Sequence, residues 1–198
     1  MDVHNCAFLI LAGGRSSRMG RCKAELPIGE TTFLGFMVDK AKDMGFGEIL
    51  VSGYTACIPG LRSNPGVKSI PDVLTERGPL GGMYACFKEA DMKACFVISV
   101  DVPLIAKETV QRLVEAHECT SQKATLLKHK ERLEPLIGVY NTKNTDILYD
   151  IIKERPASVF SYFDKIGFRT VELQEPLDTI RNFNTPQEYS TLKDGLIF

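Results

Sequence analysis

The sequence predicts an α/β protein: a mostly parallel central sheet with helices on both faces. Short apolar runs alternate with longer amphipathic segments along the chain, the pattern that specifies such a sheet. The runs Cys6–Leu11 and Ala94–Val100 are apolar at successive positions rather than at every second one, as in strands buried on both sides. Glycine- and proline-bearing stretches fall between the segments, where connections are needed.

The first strand, Cys6–Leu11, runs into a loop rich in glycine and arginine. A helix is expected to start near Thr31 or Thr32, because Phe33, Leu34, Met37, Val38, Ala41 and Met44 fall on one stripe. Gly45 ends it as a C′ glycine. Glu48–Ser52 reads as a second strand and Val67–Ile70 as a short third. Gly78–Gly82 leads into a helix through about Ala90, and Ala94–Val100 is the fourth strand. A helix over Lys107–Glu118 turns Val110, Leu113 and Val114 inward. Strands follow at Ala124–Leu127 and Leu136–Tyr140, then a helix over 142–154 with Ile147, Leu148, Ile151 and Ile152 on its apolar side. A short helix at Ser158–Lys165, carrying Val159, Phe160 and Phe163, precedes a last strand at Phe168–Leu173. A closing helix is expected after Pro186, proline being suited to a first helical turn.

A chain of 198 residues is long enough for a real core without disulfides, burying roughly 70% of its unfolded surface. No repeat, low-complexity tract or long linker divides it, so residues 1–198 are expected to form a single domain. With 24 Lys+Arg against 25 Asp+Glu, nothing points to nucleic acid as a partner. The apolar opening run is too short for a membrane helix and lacks a charged leader, so neither membrane insertion nor export is expected. The six cysteines show no metal or redox spacing and read as reduced thiols of a cytoplasmic protein, most of them in the core. His4, His117 and His129 lack ligand spacing and are expected at the surface.

The most informative stretch is Leu11-Ala-Gly-Gly-Arg-Ser-Ser-Arg-Met-Gly-Arg-Cys-Lys23. In open α/β sheets, ligands bind beyond the carboxyl ends of the strands, commonly at the loop after the first one. Gly13 and Gly14 allow close backbone approach, and successive N–H groups there can form an anion nest. Arg15, Arg18 and Lys23 add positive charge suited to a polyphosphate, although a solvated loop would share this composition. Neither the P-loop pattern nor the dinucleotide fingerprint fits. Asp101, just past an apolar strand, is a hard oxygen donor suited to Mg²⁺, or else a turn or capping residue.

The L-A-G-G-x-S-x-R-M-G-x-x-K segment resembles the signature of the MobA-like nucleotidyltransferases, and within them the molybdenum cofactor guanylyltransferases. Pro71-Asp72 with Gly78-Pro-Leu-Gly-Gly82, Asp101-Val-Pro, Glu134-Pro-Leu-Ile-Gly-Val-Tyr140 and Asn182-Phe-Asn-Thr-Pro186 resemble the family's later elements, in order. One departure is Cys22, where the family commonly has aspartate before the lysine; it bears on tuning of Lys23 rather than on reaction class. A nucleophilic role for Cys22 finds no adjacent base.

The resemblance implies a three-layer αβα Rossmann-like nucleotidyltransferase fold. It also implies GTP and a molybdopterin-type cofactor as substrates, with Mg²⁺ on Asp101. Lys23, Asp101 and Arg18 would be catalytic. Leu11, Ala12, Gly13, Gly14, Arg15, Lys23, Asp72, Gly78 and Asp101 would bind nucleotide. Asn182 and Asn184 would meet the pterin, although turn or N-cap duty before Pro186 suits them equally. Transfer to CTP-dependent or sugar-phosphate chemistry, and a non-catalytic GTP-binding module, are the competing readings. Delivery of the product to insertion machinery or a molybdoenzyme is a further implication of the resemblance.

Overall fold

The computed structural model describes residues 3–13, 22–53, 65–72, 74, 77–154, 158–184 and 188. Along the chain these form β1 (Cys6–Leu11), β2 (Pro27–Ile28), β3 (Thr31–Thr32), α1 (Phe33–Asp43), β4 (Glu48–Ser52) and β5 (Val67–Ile70). Then come α2 (Gly78–Glu89), β6 (Ala94–Ser99), α3 (Lys107–Glu118), β7 (Ala124–His129), β8 (Arg132–Asn141), α4 (Thr145–Lys153), α5 (Val159–Ile166) and β9 (Phe168–Glu172).

Seven strands make one sheet in the order β5-β4-β1-β6-β8-β7-β9, and β2 and β3 make a separate hairpin. Only β8 runs against the other six strands of the large sheet. The mostly parallel sheet expected from the apolar runs is therefore present.

Alternation along β1 explains the three layers. Phe8 and Ile10 pack with Leu34 and Met37 of α1 and with Val110 and Leu113 of α3. Ala7 and Leu9 point to the other face, with Met83 of α2, Leu148 of α4 and Phe163 of α5. Phe8, Leu9 and Ile10 are 0% exposed. Each contributes about 1.5–3 kcal/mol by burial, so β1 is the spine that both faces share. Local signals agree with this packing. The Thr32 hydroxyl caps α1 by accepting from Gly35 N at 3.1 Å, and Gly45 leaves the helix at φ 94°.

Four differences from the sequence reading have physical causes. The β2–β3 hairpin turns through Gly29 at φ 56°, in strands too short to show periodicity. Strand β8 begins at Arg132 rather than Leu136, because Lys130 (φ 54°) and Glu131 make a two-residue turn from β7. Such a turn can join only antiparallel strands. Helix α4 starts at Thr145 rather than 142, since Thr142 is held at the sheet: its N–H donates to Lys93 O and its hydroxyl to Met92 O.

The fourth difference is His117, which is 5% exposed rather than at the surface. It continues the inward stripe of Val110, Leu113 and Val114 on α3. Its Nε2 lies 3.0 Å from Asn141 Oδ1, and its Nδ1 lies 3.0 Å from Thr125 Oγ1. Because Asn141 Oδ1 can only accept, the network assigns the ring proton to Nε2. Burial lowers the His117 pKa and keeps the ring neutral. The thiols of Cys6, Cys86 and Cys95 are buried and free, in agreement with the expected core role. The helix expected after Pro186 lies outside the described residues, apart from helical Glu188.

Candidate active site

The sheet order creates a crevice. From β1 the chain steps outward to β4 and β5, then returns to place β6 on the opposite side of β1. The connections from β1 toward β4 and from β6 toward β8 and β7 therefore lead to opposite sides of the sheet, and such a switch point is where open α/β sheets receive ligands. Strand pairing continues just past the strand ends. Ala12 N donates to Ser52 O at 3.2 Å, Gly53 N to Ile70 O at 3.1 Å and Val100 N to Leu11 O at 3.1 Å.

On one side of the crevice the chain passes so closely that glycine is required. A Cβ on Gly53, whose φ is 69°, would stand 2.5 Å from Gly13 Cα and 2.9 Å from Asp72 Oδ2. A Cβ on Gly13 would lie 3.0 Å from the same carboxylate oxygen. Gly13, Gly53 and Asp72 thus converge, and Leu11 and Ala12, both buried, offer that space only their backbone. Asp72 is exposed as a residue, yet partial desolvation raises its carboxyl pKa. Gly78 opens α2 at φ 57° in open space, while Gly82 lets that helix seat on β4: a Cβ there would meet Ser52 Oγ at 2.5 Å.

At the centre stand Lys23 and Asp101. A 3₁₀ turn, Lys23–Glu25, returns the chain to the crevice after the first loop. Lys23 Nζ donates to Asp101 Oδ2 at 2.7 Å and also to Asn184 Oδ1. Asp101 is 9% exposed, and its second oxygen, Oδ1, is buried without a hydrogen-bond partner among the described residues. A buried acceptor left unpaired costs about 1–3 kcal/mol. The arrangement is thus unfinished unless a cation or donor arrives, and a hard carboxylate oxygen fits a divalent cation. Among the described residues no group of three or more His, Cys, Asp or Glu is arranged to hold a metal ion. A cation here would rely on ligand oxygens as well as on Asp101.

The segment before Asn184 is fastened at three points. Leu173 N donates to Lys128 O at 2.8 Å, and Phe183 N donates to Asp101 O at 2.9 Å. Between them Glu175 accepts from both terminal nitrogens of Arg112, at 2.7 and 2.5 Å, and from Thr109 Oγ1 at 2.6 Å. The Arg112 guanidinium holds the Glu175 carboxyl down at about 2, from an ordinary 4.5. A carboxyl with a depressed folded-state pKa stabilises above its unfolded value and loses that contribution as pH falls through the folded one. The melting-temperature gap between the wild type and Glu175→Gln is therefore expected to close as pH falls from 4.5 to about 2. A gap that stays constant over that range would show that the pair does not anchor the segment.

The other side of the crevice is a cavity of about 370 Å³ lined by Asp101, Asn182 and Asn184 together with Ser99 and residues 134–137. Residues 134–137 reach it through a bulge in β8: Leu126 pairs with Gly138, but the next residue, Leu127, pairs with Glu134. Bulges often redirect side chains beside active sites. Ser99 and Glu134 were not among the candidates drawn from the sequence. Pro135, which cannot donate within a sheet, was the available signal of an interrupted ladder.

The structure thus brings together Lys23, Asp101, Asn182 and Asn184, and separately Gly13 and Asp72. Gly14, Arg15 and Arg18 lie outside the described residues. Cys22 packs its side chain against the core cluster behind the crevice.

Residues 8–161 match the sequence profile of the MobA-like NTP transferase domain. The chain belongs to this family. A MobA-like NTP transferase is a nucleotidyl-transferring enzyme, and the crevice described here is its candidate catalytic centre. A Pelotomaculum thermopropionicum relative named probable molybdenum cofactor guanylyltransferase is 28% identical over 91% of this chain and 88% of its own length. The crystal structure of molybdopterin-guanine dinucleotide biosynthesis protein A from Archaeoglobus fulgidus superposes with a TM-score of 0.79 at 19% identity. It covers 95% of this chain and 97% of that one. The Mycobacterium tuberculosis protein Rv0371c, solved with manganese, aligns at TM-score 0.66 and 17% identity, over 96% and 97% of the two chains. These neighbours carry the same three-layer Rossmann-like architecture as this MobA-like chain.

Proposed function

We propose that the protein transfers GMP from GTP to the phosphate of a molybdopterin-type molybdenum cofactor, forming the guanine dinucleotide and releasing pyrophosphate. The observation that carries the reading is the Lys23–Asp101–Asn184 cluster at the switch point, with Asp101 Oδ1 buried and unpaired. The name of the P. thermopropionicum relative supports the choice of substrates.

The acceptor phosphate has a second pKa of about 6 and is largely a dianion at neutral pH, so no side chain need deprotonate it. The chain's task is to bring two polyanions together and hold them in line. Gly13 and Gly14, with the backbone of Leu11 and Ala12, receive the triphosphate. Lys23 meets the phosphates around the attacked phosphorus, and Arg15 and Arg18 hold the departing β- and γ-phosphates. Asp72 and Gly78 stand on the base and ribose side. Asn182 and Asn184 face the acceptor, and Asn184 also steadies the Lys23 ammonium. Asp101 would hold Mg²⁺ together with substrate oxygens, and the bound ion would supply neutralisation of the charge developing on the phosphates. The manganese found with Rv0371c supports a divalent ion in this fold.

All of this is assigned to one domain, 1–198, acting in the cytoplasm. No helix among the described residues is long and apolar enough to cross a membrane. Handing the labile product to insertion machinery or a molybdoenzyme is part of the same reading.

Pyrophosphate release measured across GTP, CTP, ATP and UTP, with and without molybdopterin, tests it. Release is expected with GTP and only when the acceptor is supplied. A preference for CTP would make the enzyme a cytidylyltransferase, and release on adding sugar phosphates instead would change the acceptor class. Binding of GTP without release from any mixture would leave a nucleotide-binding module.

A further inference from the structure

The groups assigned to the crevice so far suit a polyanion, its counter-ion or, in Asp72, the base and ribose, but Glu134 has no such role. It lines the same cavity as Asp101, Asn182 and Asn184. Its side chain is 17% exposed, and Arg132 Nε reaches one of its oxygens, Oε1, at 2.8 Å. Among the described contacts, Oε2 has no partner. The β8 bulge turns Glu134 into this space, which Leu136 and Ile137 also line. Burial raises its pKa, the mark of a carboxyl short of compensating donors.

A carboxylate on the wall of a phosphate-transfer cavity repels both substrates at short range. It fits there if it faces a part of the ligand that donates hydrogen bonds. The nucleotide approaches over the β1, β4 and β5 ends, where Gly13, Gly53 and Asp72 converge. The β6–β8 side is left for the acceptor, and a pocket of about 370 Å³ is within the range that holds a small heterocycle.

We propose that Glu134 is an acceptor-specificity residue, its carboxylate accepting from the N3–H and 2-amino groups on the pyrimidinone edge of a pterin. The inference rests on the proposed transfer reaction and deepens it. Two adjacent donors match a carboxylate, which accepts at both oxygens. Arg132 offsets part of the cost of burying the carboxylate and orients it. Leu136 and Ile137 border the space that the flat ring would take.

The test is a change of preference. Lumazine, the 2-oxo relative of pterin, replaces the 2-amino donor with an acceptor. Fluorescence titration of the whole protein with pterin and lumazine is expected to favour pterin in the wild type. Glu134→Gln, which offers one acceptor and one donor, should shift the affinity ratio toward lumazine by roughly 10-fold or more. The same variant should raise KM for molybdopterin by roughly 10- to 100-fold while leaving KM for GTP and Mn²⁺ binding unchanged. Glu134→Asp, retaining both acceptors, should recover part of the pterin preference. An unchanged molybdopterin KM or an unchanged ratio in Glu134→Gln overturns the proposal, as does a defect confined to GTP or metal binding. Transfer to molybdopterin by the wild type with such a result would sink the role of Glu134 alone. Absence of transfer and of pterin binding in the wild type would sink the reaction as well.

Discussion

Asp101→Ala is expected to lower pyrophosphate release by about three orders of magnitude while the protein stays folded. Unit charges about 4 Å apart interact with about 4 kcal/mol at an effective dielectric near 20, and 1.4 kcal/mol is a factor of ten. Losing the cation's anchor therefore removes most of what aligns and neutralises the phosphates. Folding should be spared for a specific reason. Asp101 keeps a buried oxygen without a partner, and its backbone C=O, which accepts from Phe183 N, is unaffected by the substitution. The melting temperature of Asp101→Asn or Asp101→Ala should equal or exceed that of the wild type. Chelation should bring the wild type down to the variant's rate and leave the variant unmoved. Wild-type turnover in either purified variant would remove Asp101 from the mechanism.

Lys23→Ala should reduce transfer by a comparable factor, yet act oppositely on the metal. The Lys23 ammonium lies 2.7 Å from Asp101 Oδ2, a position a divalent cation would compete for. Removing the ammonium should tighten Mn²⁺ binding to the nucleotide-free protein, read by electron paramagnetic resonance, while abolishing turnover. Lys23→Arg should not restore activity, because a planar fork cannot replace a compact charge shared by Asp101 and Asn184. Weaker Mn²⁺ binding in Lys23→Ala would show that the lysine supports the metal rather than standing in for it.

Much of the architecture was readable from local pattern. The apolar runs of β1, β4 and β6 and the stripes of α1 and α3 carry their own periodicity, and their burial matches it. The direction of β8 was not readable, because it depends on two residues, Lys130 and Glu131, inside a charged stretch. His117 was misread because a lone polar side chain on the apolar stripe of a helix is satisfied here by partners on two strands, Thr125 and Asn141.

The same division holds for the site. Residue type and position, in a cationic loop after β1 and at the end of β6, were enough to single out Lys23 and Asp101, whereas Asp72 and the paired asparagines stood out only through the family resemblance. The chain alone determined which groups carry charge, which segments are strands and where glycine opens the backbone, since these follow from side-chain chemistry and short-range spacing. Only the tertiary structure decided that Lys23 meets Asp101 across 78 residues and Asn184 across 161, and that Glu134 enters the same cavity. The physical reason is the strand order together with the bulge: pairing β6 between β1 and β8 sets the distances between loops that no local interaction connects.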